Sequence, residues 1–194
     1  LPSAIRSVLL APYLAVFYPF LALRRANAAI RPERGGAWRT WVTPHLLVGG
    51  FIVPGDVGRL AEEGVGAVVN VSRELIAPRG ALRDAGIDYL RVPCWDARAP
   101  ELEDAHRGVS FIADHVEAGR RVYVHCASGV GRSVSLTVCY LAACEGRDPD
   151  EALAAIARVR PRVSLSRVQR AFVDDYLGYR AARASGAAGA AIAG

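Results

Sequence analysis

The chain has 194 residues, 52% of them hydrophobic and 22% charged, enough apolar material for one compact domain and too much for a disordered chain. Four cysteines are too few for a disulfide-stapled fold. The net charge of +5 comes from arginines spread along the chain, with no zinc-ligand spacing and no basic stretch interleaved with aromatics, so a nucleic-acid partner is not expected.

Composition divides the chain into residues 1–37 (apolar, then basic), a domain at 38–183, and an Ala/Gly-rich flexible tail at 184–194. Val8 to Leu23 is a run of 16 uncharged residues. A spanning helix needs about 20, and Pro12 and Pro19 would each kink or break one. The run reads as a helical segment packed on the domain, as a membrane-surface or shallowly inserted anchor with Arg24, Arg25 and Arg31 at the headgroups, or as a signal peptide or full span. Two arginines just before Ala26-Asn27-Ala28 argue against signal-peptide cleavage.

In the middle region Leu46–Gly49 is a short apolar run. Asp56–Glu63 reads as helix, Val65–Val71 as a buried strand, and Leu75–Ala85 as helix despite Pro78 and Gly80. Ile87–Val92 is a strand stopped by Pro93, Leu102–Ala118 a helix closing at Gly119, and Arg121–His125 a strand. Strands alternating with helices give an α/β fold with a central, mainly parallel sheet. Beyond residue 132 the pattern is helical: Ser133–Cys144, a helix started by Asp148-Pro149-Asp150-Glu151, and an amphipathic Ser166–Arg183.

The chemistry concentrates in Val122–Ser133, VYVHCASGVGRS. A buried-type strand delivers Cys126 to a loop of small residues that opens a helix, the place where ligands bind in open α/β sheets. Ala127, Ser128, Gly129, Val130 and Gly131 can turn their N–H groups inward as a nest for an anion, and the helix start adds its positive dipole end. Both favour a thiolate at Cys126. Arg132 offers a planar fork for two phosphate oxygens, and Ser133 a hydroxyl for the leaving sulfur. A depressed thiol beside a phosphate cradle is a nucleophile for phosphoryl transfer.

HCASGVGRS matches the HC-x5-R-[ST] signature, so the chain resembles the cysteine-based protein tyrosine phosphatases. VYVHCASGVGRSVSLTVCYL and DPDEALAAIARVRPRV resemble the small dual-specificity branch. The resemblance covers roughly residues 40–180 and implies a dual-specificity phosphatase-like fold carrying an extra apolar N-terminal segment. It also implies a general acid about thirty residues before the nucleophile. Asp96 lies 30 residues before Cys126, after a strand whose C-terminal end reaches the same rim. His125 takes a supporting role, since neighbouring strand residues point oppositely. Family members that guard the nucleophile with a reversible disulfide make Cys94 a candidate partner.

The resemblance implies hydrolysis of phosphomonoesters through a cysteinyl-phosphate, with no cofactor and no metal. Its main reading is a dual-specificity protein phosphatase acting on phosphotyrosine and phosphoserine/threonine. The alternative is a lipid phosphatase acting on phosphatidylglycerophosphate or a monophosphorylated phosphoinositide at an anionic membrane surface. Loop residues 127–130 carry no charge, which disfavours polyphosphorylated inositols. WVTPHLLVGG, the Asp96 loop and ARVRPRVSL are similar to the mitochondrial phosphatases that act on phosphatidylglycerophosphate. Arg73, Arg79 and Arg98 are candidates for the rim. A rhodanese-like sulfurtransferase would need neither the acid nor the Cys-to-Arg spacing. A thiol that must stay reduced points to the cytoplasm, with association at the cytosolic face of a membrane as a further option.

Overall fold

The computed structural model describes residues 37–186, together with 16, 18–23 and 25–27. Five strands form one sheet: β1 (Arg39–Trp41), β2 (Leu46–Gly49), β3 (Val65–Asn70), β4 (Asp88–Arg91) and β5 (Arg121–His125), in the order β1-β2-β5-β3-β4. Only the β1–β2 pair is antiparallel. The central strands are apolar on both faces, as parallel strands covered on both sides must be. Leu46, Val48, Ala67, Val69, Val122 and Val124 point into one core; Leu47, Val68 and Tyr123, the alternate positions, point into the other.

The first core is closed by α3 (Leu102–Glu117), α4 (Arg132–Glu145), α5 (Pro149–Val159) and α6 (Arg167–Ala184). The second is closed by α1 (Val57–Glu62) and α2 (Arg79–Asp84). Helix starts follow the sequence. Asp148 accepts from the N–H groups of Asp150 and Glu151 at 2.9 and 3.1 Å. Ser166 and Gln169 form a capping box on α6.

Leu75–Ala85 is not a continuous helix: α2 begins at Arg79, because Pro78 restricts the residue before it and interrupts the backbone ladder. Strand β1 leaves no signal in the sequence. It is three half-buried residues on the sheet edge, too short for any alternation to show.

Register places the chemistry. Gly49 of β2 and Asn70 of β3 both pair with His125 of β5. Cys126 is therefore the first residue past the sheet, on its middle strand, between the ends of β2 and β3. The described residues of the N-terminal run pack beside it. Residues 18–23 and 25–27 are helical, Pro19 included, and Leu21 is buried against Leu75 and Ala127. Arg25 does not face headgroups. It forms an ion pair with Asp56 and donates to the Phe51 carbonyl at 3.2 Å. Arg24 and Arg31 lie outside the described residues, as do Pro12, most of the 1–37 region and residues 187–194 of the expected tail. No helix among the described residues is long and apolar enough to cross a membrane.

Candidate active site

The loop from Ala127 to Gly131 is shaped by where its carbonyls go. The Ala127 carbonyl accepts from Phe51 N–H at 3.1 Å and that of Val130 from Ser164 N–H at 3.2 Å. Arg160 takes the two between, donating from Nε to the Gly129 carbonyl at 2.7 Å and from Nη2 to the Ser128 carbonyl at 3.2 Å. With consecutive carbonyls tethered outward, the intervening N–H groups turn to the concave side, which makes an anion nest. Gly129 has φ +67°, and a Cβ there would collide with the Gly49 backbone and the Arg160 guanidinium. Only glycine fits.

Cys126 Sγ lies inside this loop, buried, and accepts from Ser133 Oγ at 3.4 Å. Burial pushes the thiol's pKa up. The Arg132 charge, the Ser133 hydroxyl and the N–H groups of Ser133 and Gly129 push it down and prevail, so it lies below the ordinary thiol value. His125 shares the face of Tyr123, its ring stacked on Tyr123 at 5.5 Å between centroids, and its Nδ1 lies 3.3 Å from the Cys126 carbonyl. Burial pulls its pKa down to about 4, against the opposing effect of that carbonyl contact, so the ring is neutral at neutral pH.

Arg132 is nearly inaccessible, with its two nitrogens set to different tasks. Nη1 is 2.7 and 2.9 Å from the two carboxylate oxygens of buried Glu74 and donates to the Cys94 carbonyl at 3.0 Å. Nη2 is 3.0 Å from Asp96 Oδ1, an ion pair off the hydrogen-bond line. It has no hydrogen-bond partner among the described residues, although it is buried. A buried guanidinium N–H left without an acceptor beside a thiolate and a nest is a group waiting for an anion.

Asp96 stands on the loop after β4, with its side chain 59% exposed. Ala97 after it has φ +57°, a left-handed conformation costly for a residue with a Cβ. The loop is held there by α6: Gln169 Nε2 donates to the Arg98 carbonyl at 3.2 Å, and Ser166 Oγ to that of Ala97 at 3.5 Å. All four cysteines are free thiols. The Cys94 thiol donates to the Trp95 and Arg98 carbonyls, both at 3.3 Å, and burial raises its pKa to about 12.

These groups open into a cavity of about 390 Å3. Cys126, Arg132 and the loop contribute to it, with Asp96 and Ala97, then Ser164, Ser166 and Gln169 from the α6 side, and Phe20 and Leu21 from the N-terminal helix. The expected residues Cys126, Ala127, Ser128, Val130, Gly131, Arg132 and Asp96 thus meet in one place. Gly129 is the loop's hinge and Ser133 touches the sulfur, whereas His125 stays behind the loop in the sheet. Arg73, Arg79 and Arg98 are exposed and do not line the cavity. Glu74, Arg160 and Gln169 were not singled out from sequence. The only trace available was the capping-box spacing of Ser166 and Gln169.

The dual specificity phosphatase catalytic domain model matches residues 56–174. The chain belongs to the dual specificity phosphatase family. It is a cysteine-dependent phosphatase, a phosphoric monoester hydrolase. Among curated proteins it is 32% identical over 167 residues to the phosphatidylglycerophosphate phosphatase PTPMT1 of Arabidopsis thaliana, covering 84% of this chain and 48% of that protein. The chain therefore spans about half the length of that plant relative. The phosphatidylglycerophosphatase and protein-tyrosine phosphatase 1 of Rattus norvegicus is 30% identical over 177 residues, covering 88% of this chain and 92% of that one. A crystal structure of PTPMT1 in complex with PI(5)P superposes with a TM-score of 0.69 at 28% identity, over 76% of this chain and 99% of that chain. This dual specificity phosphatase shares its mixed, mostly parallel sheet and flanking helices with that structure.

Proposed function

We propose that this phosphatase removes the terminal phosphate of phosphatidylglycerophosphate or a closely similar singly phosphorylated lipid headgroup. The observation that carries the reading is the make-up of the cavity: a one-phosphate cradle at Cys126 and Arg132, with an apolar wall from Phe20 and Leu21. Loop residues 127–130 offer backbone N–H groups and no basic side chain, which suits one phosphate and not a cluster of them. The names carried by the plant and rat relatives support the same substrate class. This inverts the order expected from sequence, in which protein substrates ranked first.

The chemistry follows from the geometry. The Cys126 thiolate attacks phosphorus in line. The nest and Nη2 of Arg132, which has no hydrogen-bond acceptor of its own among the described residues, hold the equatorial oxygens as charge redistributes. Asp96, protonated, gives its proton to the departing alkoxide of the glycerol headgroup. The resulting Asp96 carboxylate then takes a proton from water attacking the cysteinyl-phosphate, and sulfur leaves as a thiolate stabilised by Ser133 Oγ. Inorganic phosphate is released and Asp96 is protonated again.

Phosphate release from phosphatidylglycerophosphate, compared in one buffer with release from phosphotyrosine and phosphothreonine peptides, tests the proposal. Lipid turnover exceeding peptide turnover, and lost in Cys126→Ser, is expected. Peptide turnover exceeding lipid turnover would return the enzyme to the protein-phosphatase reading.

A further inference from the structure

The helical stretch that walls the cavity turns one face to the domain and carries exposed apolar side chains on another. Tyr18, Leu21 and Arg25, spaced by three and four, face the domain: Leu21 is buried on Leu75 and Ala127, and Arg25 is paired with Asp56. Val16, Phe20 and Leu23, spaced by four and three, form another face and are 73%, 53% and 71% exposed. An amphipathic helix packed on a domain normally carries polar residues there.

Exposed apolar side chains continue onto the loops near the cavity. The N–H of Ile76 points at Tyr18 Oη, 3.5 Å away, which places Ile76 beside the helix, and its side chain is 85% exposed. Trp95 adjoins Asp96 on the loop after β4 and is 44% exposed. Arg73 lies over the Trp95 ring, 5.4 Å from its centroid, and both Arg73 and Arg98 are exposed. Phe20 lines the cavity, Trp95 is the chain neighbour of the lining residue Asp96, and Ile76 lies beside the helix, so exposed apolar side chains from three separate segments, with Arg73 and Arg98 among them, lie close to one cavity. Scattered exposed apolar residues need no explanation; a collar around a single opening does.

We infer that this collar is the surface on which the enzyme docks to an anionic lipid bilayer. The inference rests on the lipid-substrate reading and adds to it the face that meets the membrane. Apolar side chains enter the headgroup–acyl boundary while Arg73 and Arg98 stay at the anionic headgroups, the division of labour of an interfacial anchor. Docking in this pose sets the cavity mouth against the headgroup layer. A lipid phosphate then reaches Cys126 without leaving the membrane.

The test is sedimentation with vesicles of phosphatidylcholine and phosphatidylglycerol, using the full chain and the double variant Leu23→Ser/Ile76→Ser. Neither residue lines the cavity. Each substitution removes an aliphatic side chain that would be buried in the bilayer, so the double variant should bind at least about a hundredfold more weakly. Turnover of vesicle-borne phosphatidylglycerophosphate should fall in parallel, while turnover of a water-soluble aryl phosphate, which also reports folding, stays level. Vesicles with brominated acyl chains should quench wild-type tryptophan fluorescence and lose most of that effect on Trp95→Phe. Equal vesicle binding by wild type and double variant would overturn the inference. So would lipid-free self-association abolished by Leu23→Ser, which would give the face to a second copy. A wild type that ignores vesicles yet hydrolyses dispersed short-chain phosphatidylglycerophosphate would refute the docking surface alone. Vesicle binding lost in the double variant, with no hydrolysis of that dispersed lipid, would sustain the surface and refute the substrate.

Discussion

Replacing Glu74 by Gln removes the charge that balances Arg132 and nearly preserves the side chain's shape. Both side chains are essentially inaccessible, and Arg132 Nη1 sits 2.7 and 2.9 Å from the two carboxylate oxygens. Breaking a buried pair by neutralising one partner costs about 3–5 kcal/mol, because the other charge is left uncompensated. The Gln carbonyl and the Cys94 carbonyl, 3.0 Å from Nη1, still accept hydrogen bonds, which puts the expected cost near the lower end, about 3 kcal/mol. For a domain of this size each kcal/mol moves the melting temperature by about 2–4 °C, so Glu74→Gln should melt roughly 6–12 °C lower. The lost charge also explains a second effect. Inorganic phosphate or vanadate in the cradle returns negative charge to Arg132, so either should raise the melting temperature of Glu74→Gln more than that of wild type. Turnover should fall about 100-fold, because the guanidinium is no longer held in register with the nest. Differential scanning fluorimetry with and without phosphate reads all but the last. A variant melting within 2 °C of wild type would refute the reasoning, as would an equal response to phosphate.

Asp96→Asn cannot protonate an alkoxide, so kcat on a lipid phosphomonoester should drop by about 10²–10⁴, with a smaller loss on an aryl phosphate whose leaving group needs no proton. A uniform loss on both substrates would place Asp96 in binding and not in proton transfer. Iodoacetamide modification of Cys126 should reach half-maximal rate below the free-thiol value of about 8.5, and Ser133→Ala should move that midpoint upward, as read by mass spectrometry. Gly129→Ala should abolish phosphate release and lower stability, since the alanine meets the Gly49 backbone and cannot relax at φ +67°; wild-type kinetics would refute the loop geometry. Burial lowers the pKa of His125 from 6.5 to about 4, so the unfolded chain binds a proton between those values that the native protein does not. Its contribution is therefore complete above pH 6.5 and is lost as pH falls toward 4. Urea unfolding of wild type should lose about 3 kcal/mol across that window that His125→Asn does not lose.

Much of the fold was legible because its elements are locally consistent. VGAVVNV and RVYVH are apolar on both faces, as buried parallel strands must be, and Asp148-Pro149 announces α5 by its cap. The nucleophile loop was legible for a related reason: its chemistry lies in a continuous run, so spacing alone places Cys126, the nest and Arg132 together. What escaped the sequence is what depends on distant segments. Glu74 follows β3 and meets Arg132 across 58 positions. Arg160 looked like one more surface arginine, yet it is the buried clamp behind Ser128 and Gly129. Arg25 was expected at headgroups because it flanks an apolar run; Asp56, 31 positions away, claims it instead. The lipid reading gained weight in the same way. Sequence alone did not show that Phe20 and Leu21 wall the catalytic cavity.

The central claim, that Cys126 takes the phosphate from a lipid phosphomonoester, is tested most directly by trapping the covalent intermediate. Enzyme mixed with radiolabelled phosphatidylglycerophosphate and quenched in acid within one turnover should carry label on the peptide containing Cys126, and Cys126→Ser should carry none. Lipid hydrolysis proceeding with no label on that peptide, or unchanged in Cys126→Ser, would contradict the account.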